Sequence, residues 1–264
     1  MKQEINMIGG GFQHAPSSCG WSIPKHVEWI KGARTAPISI HIDYAIKDPV
    51  DNSKKNYAWL SEFKTINRGL YEWCAENVEY LEDNFEYLFT HDDSLLELSD
   101  RFKSAITNCV PWVKDCNIHK KSKLASMVAS SKVMCDEHRY RQEIIRKYTH
   151  QLDHYGSGFN HIETKEEGLN DYHFSVTMEN ATYQTAFSEK LTDCFATGTI
   201  PIWWGPDVSH IFDGDGIIKL TDNFKVSDLT PELYHSKMEA IKNNYEITMR
   251  FPIAEDFIYL NYIK

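Results

Sequence analysis

A chain of 264 residues is long enough for one large domain or two modest ones, each with a core of its own. With 42% hydrophobic and 25% charged residues, its composition is that of a folded protein and not of a disordered one. A formal net charge of −10 excludes a broad footprint on nucleic-acid phosphates, and no apolar run approaches the ~20 residues a membrane span needs. Six scattered cysteines with no CxxC pair read as reduced thiols.

The predicted elements alternate. Glu4 to Ile8 reads as a strand running into Gly9-Gly10-Gly11, which lacks the spacing of a dinucleotide loop and reads as a tight turn or an acceptor-side loop. An amphipathic segment, His26 to Lys31, follows, then a strand from Pro37 to Asp43, a polar break from Lys47 to Asn56, and a strand from Tyr57 to Leu60. Helical spacing of Leu70, Trp73, Cys74, Val78 and Leu81 predicts one helix over Asn67 to Leu81, with a buried strand at Tyr87 to Thr90 and a helix over Ser94 to Ser104. The irregular segment Cys109 to Lys121 marks a domain junction, with the boundary near residue 120.

Beyond the junction, strands are expected at Leu124 to Ser130, Leu152 to Gly156, Tyr172 to Met178, Ile200 to Trp204 and Gly216 to Leu220. Helices are expected at Asp136 to Tyr148, Ser188 to Ala196, Pro231 to Tyr245 and Ala254 to Tyr262. The alternation favours parallel sheets. It gives an α/β chain with two lobes, 1–120 and 121–264.

The strand ending at Glu179-Asn180 and the helix opening at Ser188 bring polar side chains and unpaired helix amides to the carboxyl edge of a parallel sheet, where such sheets bind ligands. Ser188 is a fitting N-cap, and a diphosphate suits the amides behind it. Lys190 opposes the helix dipole and makes sense with an anion in front of it, while Glu189 is placed to accept from ribose hydroxyls.

Glu179-Asn180, then Ser188-Glu189-Lys190-Leu191, then Ile200-Pro201-Ile202 with Gly205, resembles the donor-site signature of the α1,3/4-fucosyltransferases, glycosyltransferase family 10. Upstream, Ser130-Ser131, Arg141, Tyr155-Gly156 and Lys165 are similar to further family positions, whereas Ala186 stands where the family has a tyrosine. The resemblance is strongest from Leu124 to Leu220. It implies a GT-B fold, two Rossmann-like lobes with a cleft between them. It also implies an inverting transfer, of fucose from GDP-fucose, to a glycan hydroxyl.

On that resemblance Arg141 and Lys190 bind the donor diphosphate, Glu189 the ribose, and Asn180 the sugar or phosphate, with Glu179 and Gly205 completing the donor site. Arg141 and Lys190 stand in for a metal, so no divalent cation is required and no metal ligands are assigned; His150 and His154 lack the glutamate of a zinc motif. The catalytic base comes from the first lobe and is assigned to Glu62, just beyond a predicted strand, with Asp92 and Asp93 as rivals. Asp213 and Asp215 read as turn residues.

Two alternatives stay open: a different nucleotide sugar on the same fold and mechanism, and an inactive binder of nucleotide or glycan. The partners implied are a nucleotide sugar and a glycan, with no nucleic acid and no transmembrane segment; peripheral membrane contact stays open. Because the chain shows no anchor of the kind Golgi enzymes carry, a cytoplasmic setting of bacterial or viral origin is expected.

Overall fold

The computed structural model describes residues 1–105, 109–182 and 186–264. The chain forms two compact units, the first comprising Met1–Asn108, Tyr183–Ala186 and Pro252–Lys264, the second Cys109–Thr182 and Phe187–Phe251.

In the first unit six parallel strands, β1 (Gln3–Gly9), β2 (Val27–Lys31), β3 (Ile38–Ile42), β4 (Lys55–Trp59), β5 (Leu88–Thr90) and β6 (Phe102–Ser104), lie in the order β2-β1-β3-β4-β5-β6. All five residues of β3 are buried, as expected of a central strand covered on both faces. One face packs Ile5, Ile40, Trp59 and Phe89 with Ala254 and Ile258. The other packs Ala58 and Leu88 under α1 (Arg68–Glu76), α2 (Val78–Asn84) and α3 (Asp93–Leu96).

Two expectations change here. The single helix over Asn67 to Leu81 is two, broken at Asn77, whose φ of −124° leaves the helical region while its side chain bonds Trp73 O at 2.8 Å. The helix over Ser94 to Ser104 shrinks to α3, because Phe102 to Ser104 pair with β5 instead.

The second unit carries five parallel strands, β7 (Lys123–Val128), β8 (Asp153–Tyr155), β9 (Tyr172–Met178), β10 (Ile200–Trp204) and β11 (Ile218–Lys219), in the order β8-β7-β9-β10-β11. Among the described residues the α-helices that follow are α4 (Asp136–Tyr148), α5 (Glu189–Ala196), α6 (Pro231–Ser236), α7 (Met238–Thr248) and α8 (Ala254–Ile258). Alternation along β9 sends Phe174, Val176 and Met178 into an apolar core with Ile144, Ile200 and Ile202, each side chain worth about 2 kcal/mol on burial. Its other face offers the small polar Ser175 and Thr177, the latter bonded to Cys194 of α5 at 3.2 Å.

The division differs from the predicted 1–120 and 121–264. The second unit starts at Cys109, and Pro252–Lys264 belongs to the first. The physical reason is a pair of buried acids in α8. Glu255 accepts from Ser18 N at 2.6 Å and Ser18 Oγ at 3.0 Å, and Asp256 from Lys25 N at 2.7 Å and His26 N at 2.8 Å. Among the described residues no helix is long and apolar enough to cross a membrane.

Candidate functional site

Each sheet reverses its strand order beside its first strand, at β1/β3 and at β7/β9, and ligands of open α/β sheets bind outside the carboxyl strand ends at such switch points. In the second unit a cavity of about 290 Å³ lies there. Met127 to Ser130 and Ser175 to Met178 form its floor, and Arg141, Lys165, Glu189, Lys190 and Asp193 its charged wall. Gly156, at φ +112°, lets the chain pass β7; a Cβ there would sit 2.2 Å from Ala129 O.

Arg141 projects from α4 into this wall and is only 7% exposed. Its Nη2 makes long bonds to Ser130 O (3.4 Å) and Lys132 O (3.3 Å), and its buried Nε has no hydrogen-bond partner. No carboxylate among the described residues lies within ion-pair distance of it. Burial pulls its pKa down, yet a guanidinium stays charged, so this is a desolvated cation awaiting an anion.

Ser188 caps α5 by accepting from Lys190 N at 3.4 Å, and Glu189 and Lys190 of the first turn line the cavity. Glu189 and Asp193, one turn apart on α5, both bind Lys165 Nζ, at 3.1 and 2.6 Å. Asp193 also accepts from Trp112 N at 2.6 Å and Val113 N at 3.1 Å. Burial opposes the charge on Lys165, but Glu189 and Asp193 hold it above lysine's ordinary pKa. Burial likewise opposes the Glu189 carboxylate, and Lys165 and Lys190 keep it below its usual range. Burial pushes Asp193 up.

Three of the expected donor residues, Arg141, Glu189 and Lys190, thus meet in one cavity. The others do not line it. Glu179 is buried and its carboxylate is taken up by Ser188 N and Oγ, both at 2.6 Å, and by Lys190 Nζ at 3.1 Å, so it bears on a ligand only through Lys190. Asn180 Oδ1 lies 3.0 Å from His138 Nε2. His138 Nδ1 accepts from Met134 N at 3.1 Å, which puts the ring proton on Nε2 and makes Asn180 the acceptor. Gly205 lines a separate cavity of about 310 Å³ at the ends of β10 and β11, and is a glycine because a Cβ would meet the Trp203 ring at 2.3 Å.

Lys165 and Asp193 carry the corrections in the other direction. The resemblance assigns Lys165 no role and does not include Asp193, although a spacing of four from Glu189 places Asp193 on the same helix face.

In the first unit Glu62 is exposed and lines an open pocket of about 550 Å³ with Gly9 to Gly11. The rival Asp92 is buried, caps α3 through Leu95 N at 3.0 Å, also bonds Ser94 Oγ, and pairs with Lys64 at 3.2 Å; a carboxylate so occupied is a poor base. Asp93 is the first residue of α3. Asp213 accepts from Asp215 N at 3.0 Å as a turn residue. Among the described residues no three His, Cys, Asp or Glu side chains converge as metal ligands would.

Residues 118–247 match the family model "Glycosyltransferase family 10 (fucosyltransferase) C-term". No curated protein matches the sequence. Among solved structures, an α1,3-fucosyltransferase is similar at 16% identity and a TM-score of 0.52, over 95% of this chain and 81% of that one. The structures titled as its complexes with GDP and with GDP-fucose are similar at 16% and 15% identity, with TM-scores of 0.53 and 0.52, each over 95% of this chain and 82% of that one. At these identities the likeness establishes the fold, which is GT-B. Residues 118–247 thus match the C-terminal domain of glycosyltransferase family 10, and the chain is a glycosyltransferase of GT-B fold.

Proposed function

We propose that the enzyme transfers fucose from GDP-fucose to a glycan hydroxyl with inversion at the anomeric carbon. The observation that carries this reading is Arg141: a buried guanidinium with no acidic partner among the described residues, in a cavity that also holds Lys190 and the amino end of α5. The solved fucosyltransferase structures titled with GDP and GDP-fucose support the choice of nucleotide.

In the reaction the bond from the anomeric carbon to the β-phosphate oxygen breaks, and the electron pair leaves with GDP. Arg141 offers a planar fork and Lys190 a point charge to that leaving group, and the α5 amides add their dipole. Glu189, held ionised by Lys165 and Lys190, accepts from the ribose hydroxyls. The acceptor oxygen forms the new bond from the opposite face, and its proton passes to Glu62. Arg141, which has no acidic partner among the described residues, and Lys190 meet the leaving group's charge in place of a divalent metal.

Calorimetric titration with GDP, UDP, CMP and their sugar conjugates tests the donor. GDP should bind best and lose affinity in Lys190→Ala; preference for UDP or CMP would overturn the donor while leaving the fold, and no binding by any would overturn the site.

A further inference from the structure

The switch point of the first sheet carries a feature that its fold alone does not require. Asp43, the residue after β3, has φ +52°, and it is the sole non-glycine among the described residues with a positive φ. That left-handed conformation is strained for a residue with a Cβ, although aspartate tolerates it better than most. Its carboxylate reaches the end of the neighbouring strand β4 and accepts from Ser61 N at 2.9 Å, Ser61 Oγ at 2.6 Å and Glu62 N at 3.2 Å. No Lys, Arg or His among the described residues pairs with it, and burial pushes its pKa up.

Glu62 is held from its other side as well. Tyr71 Oη donates to Glu62 O at 2.6 Å, so both backbone polar groups of an otherwise exposed glutamate are fixed. The turn beneath Asp43 is fixed in its own right: Gly9 of β1, at φ +73°, packs so closely that a Cβ would lie 2.5 Å from Ala45 Cβ. Three strand ends are thus tied together around one pocket, and Gly9, Asp43 and Glu62 all line it. The Glu62 carboxylate is held as well, its Oε1 accepting from Phe63 N at 3.1 Å. Here a strained, half-buried acid accepts from two peptide N–H groups and one hydroxyl of the turn that carries Glu62.

We infer that Asp43 is the positioning residue for Glu62, holding the Ser61–Glu62 turn so that the Glu62 carboxylate faces the pocket at the β1/β3 switch point. The inference rests on Glu62 acting as the base. Asp43 acts through the turn: Ser61 and Glu62 donate to both of its oxygens. An asparagine would keep the arrangement: its Oδ1 accepts the two backbone N–H groups, its Nδ2 donates to a rotated Ser61 hydroxyl, and asparagine tolerates a left-handed φ.

The test compares Asp43→Asn, Asp43→Ala, Asp43→Gly and Ser61→Ala with Glu62→Gln, reading kcat, donor KM and the Kd for GDP on protein whose melting is cooperative. Asp43→Asn should keep kcat within about threefold, and Asp43→Ala should lower it about 30- to 100-fold with donor KM and GDP affinity within about twofold. Asp43→Gly relieves the strain but not the lost bonds and should fall with Asp43→Ala. Ser61→Ala should lower kcat about threefold to tenfold. If Asp43→Ala is too unstable to assay, the glycine and Ser61 variants decide. Wild-type kcat in Asp43→Ala or Asp43→Gly beside an inactive Glu62→Gln overturns the inference alone. An Asp43→Asn as inactive as Glu62→Gln overturns it in favour of proton transfer by Asp43. Full turnover in Glu62→Gln instead overturns the assignment of the base.

Discussion

Glu179 Oε2 lies 3.1 Å from Lys190 Nζ, and the other oxygen of the same buried carboxylate receives both the amide and the hydroxyl of Ser188. One acid at the end of β9 therefore fixes the cap of α5 and the cation of its first turn together. Glu179→Ala would leave the Ser188 donors and the ammonium without their partner, at a cost of about 2–4 kcal/mol. The expected result is a melting temperature lower by roughly 5–10 °C. Glu179→Gln, which keeps an acceptor for Ser188, should lose about half as much. Differential scanning calorimetry reads both; an unchanged melt in the alanine variant would mean the cap does not depend on this carboxylate.

Arg141 should show the opposite relation between stability and binding. It is desolvated and has no acid beside it, so Arg141→Met removes an electrostatic cost and fills the same space. The ligand-free protein should melt no lower than wild type, and GDP affinity should fall about 100-fold or more. Arg141→Lys, which keeps the charge but not the fork, should fall about tenfold. A methionine variant that still binds GDP normally would remove Arg141 from the site.

The Lys165 cluster gives a pH-dependent difference. In the wild type Glu189 is held below its ordinary pKa, so its contribution is present above about pH 4.5 and lost only as pH falls through the depressed value. Lys165 is held above lysine's ordinary value, so its contribution is present below that value and lost only as pH rises beyond it. Neither changes between pH 5 and 8. Lys165→Met leaves Asp193 and Glu189 facing each other without that cation, raising the native pKa of Glu189 above its unfolded value and that of Asp193, already raised by burial, further. The native state then binds the extra protons, and stability rises as pH falls. The variant should be about 2–3 kcal/mol less stable than wild type at pH 8, moderated by the 31% exposure of the Lys165 side chain, and the gap should narrow towards pH 5. Urea unfolding at several pH values measures it, and a constant gap would contradict the assignment.

Catalysis should not need a divalent cation. Transfer after exhaustive chelation should stay within about twofold of the untreated rate, since the leaving group meets side-chain cations and helix amides. Loss of activity restored by added magnesium or manganese would show that those cations are insufficient.

Legibility from sequence followed the range over which each residue's partners lie. The helix over Asp136 to Tyr148 and the strand over Tyr172 to Met178 were readable to the residue, because acids at one helix end, bases at the other and strict alternation are local signals. Phe102 to Ser104 was not, since its strand character comes from pairing with β5. Arg141, Glu189 and Lys190 were visible as cations and an acid at a sheet edge. The carboxylate of Glu179 was visible too, but its direction depends on Ser188, nine residues away across a turn. Asp43 gave no signal, because backbone sign and cross-strand reach are three-dimensional properties.

The return of α8 to the first unit also sets an order of events during synthesis. The strands from Gln3 to Ser104 emerge first, but Glu255 and Asp256, which satisfy the amides of Ser18, Lys25 and His26, are translated only after all of the second unit. The first unit therefore gains the cover that Ala254 and Ile258 give Ile5 and Trp59 only after every residue of the second unit has been made. The nascent chain thus completes its units in the reverse of the order in which it begins them.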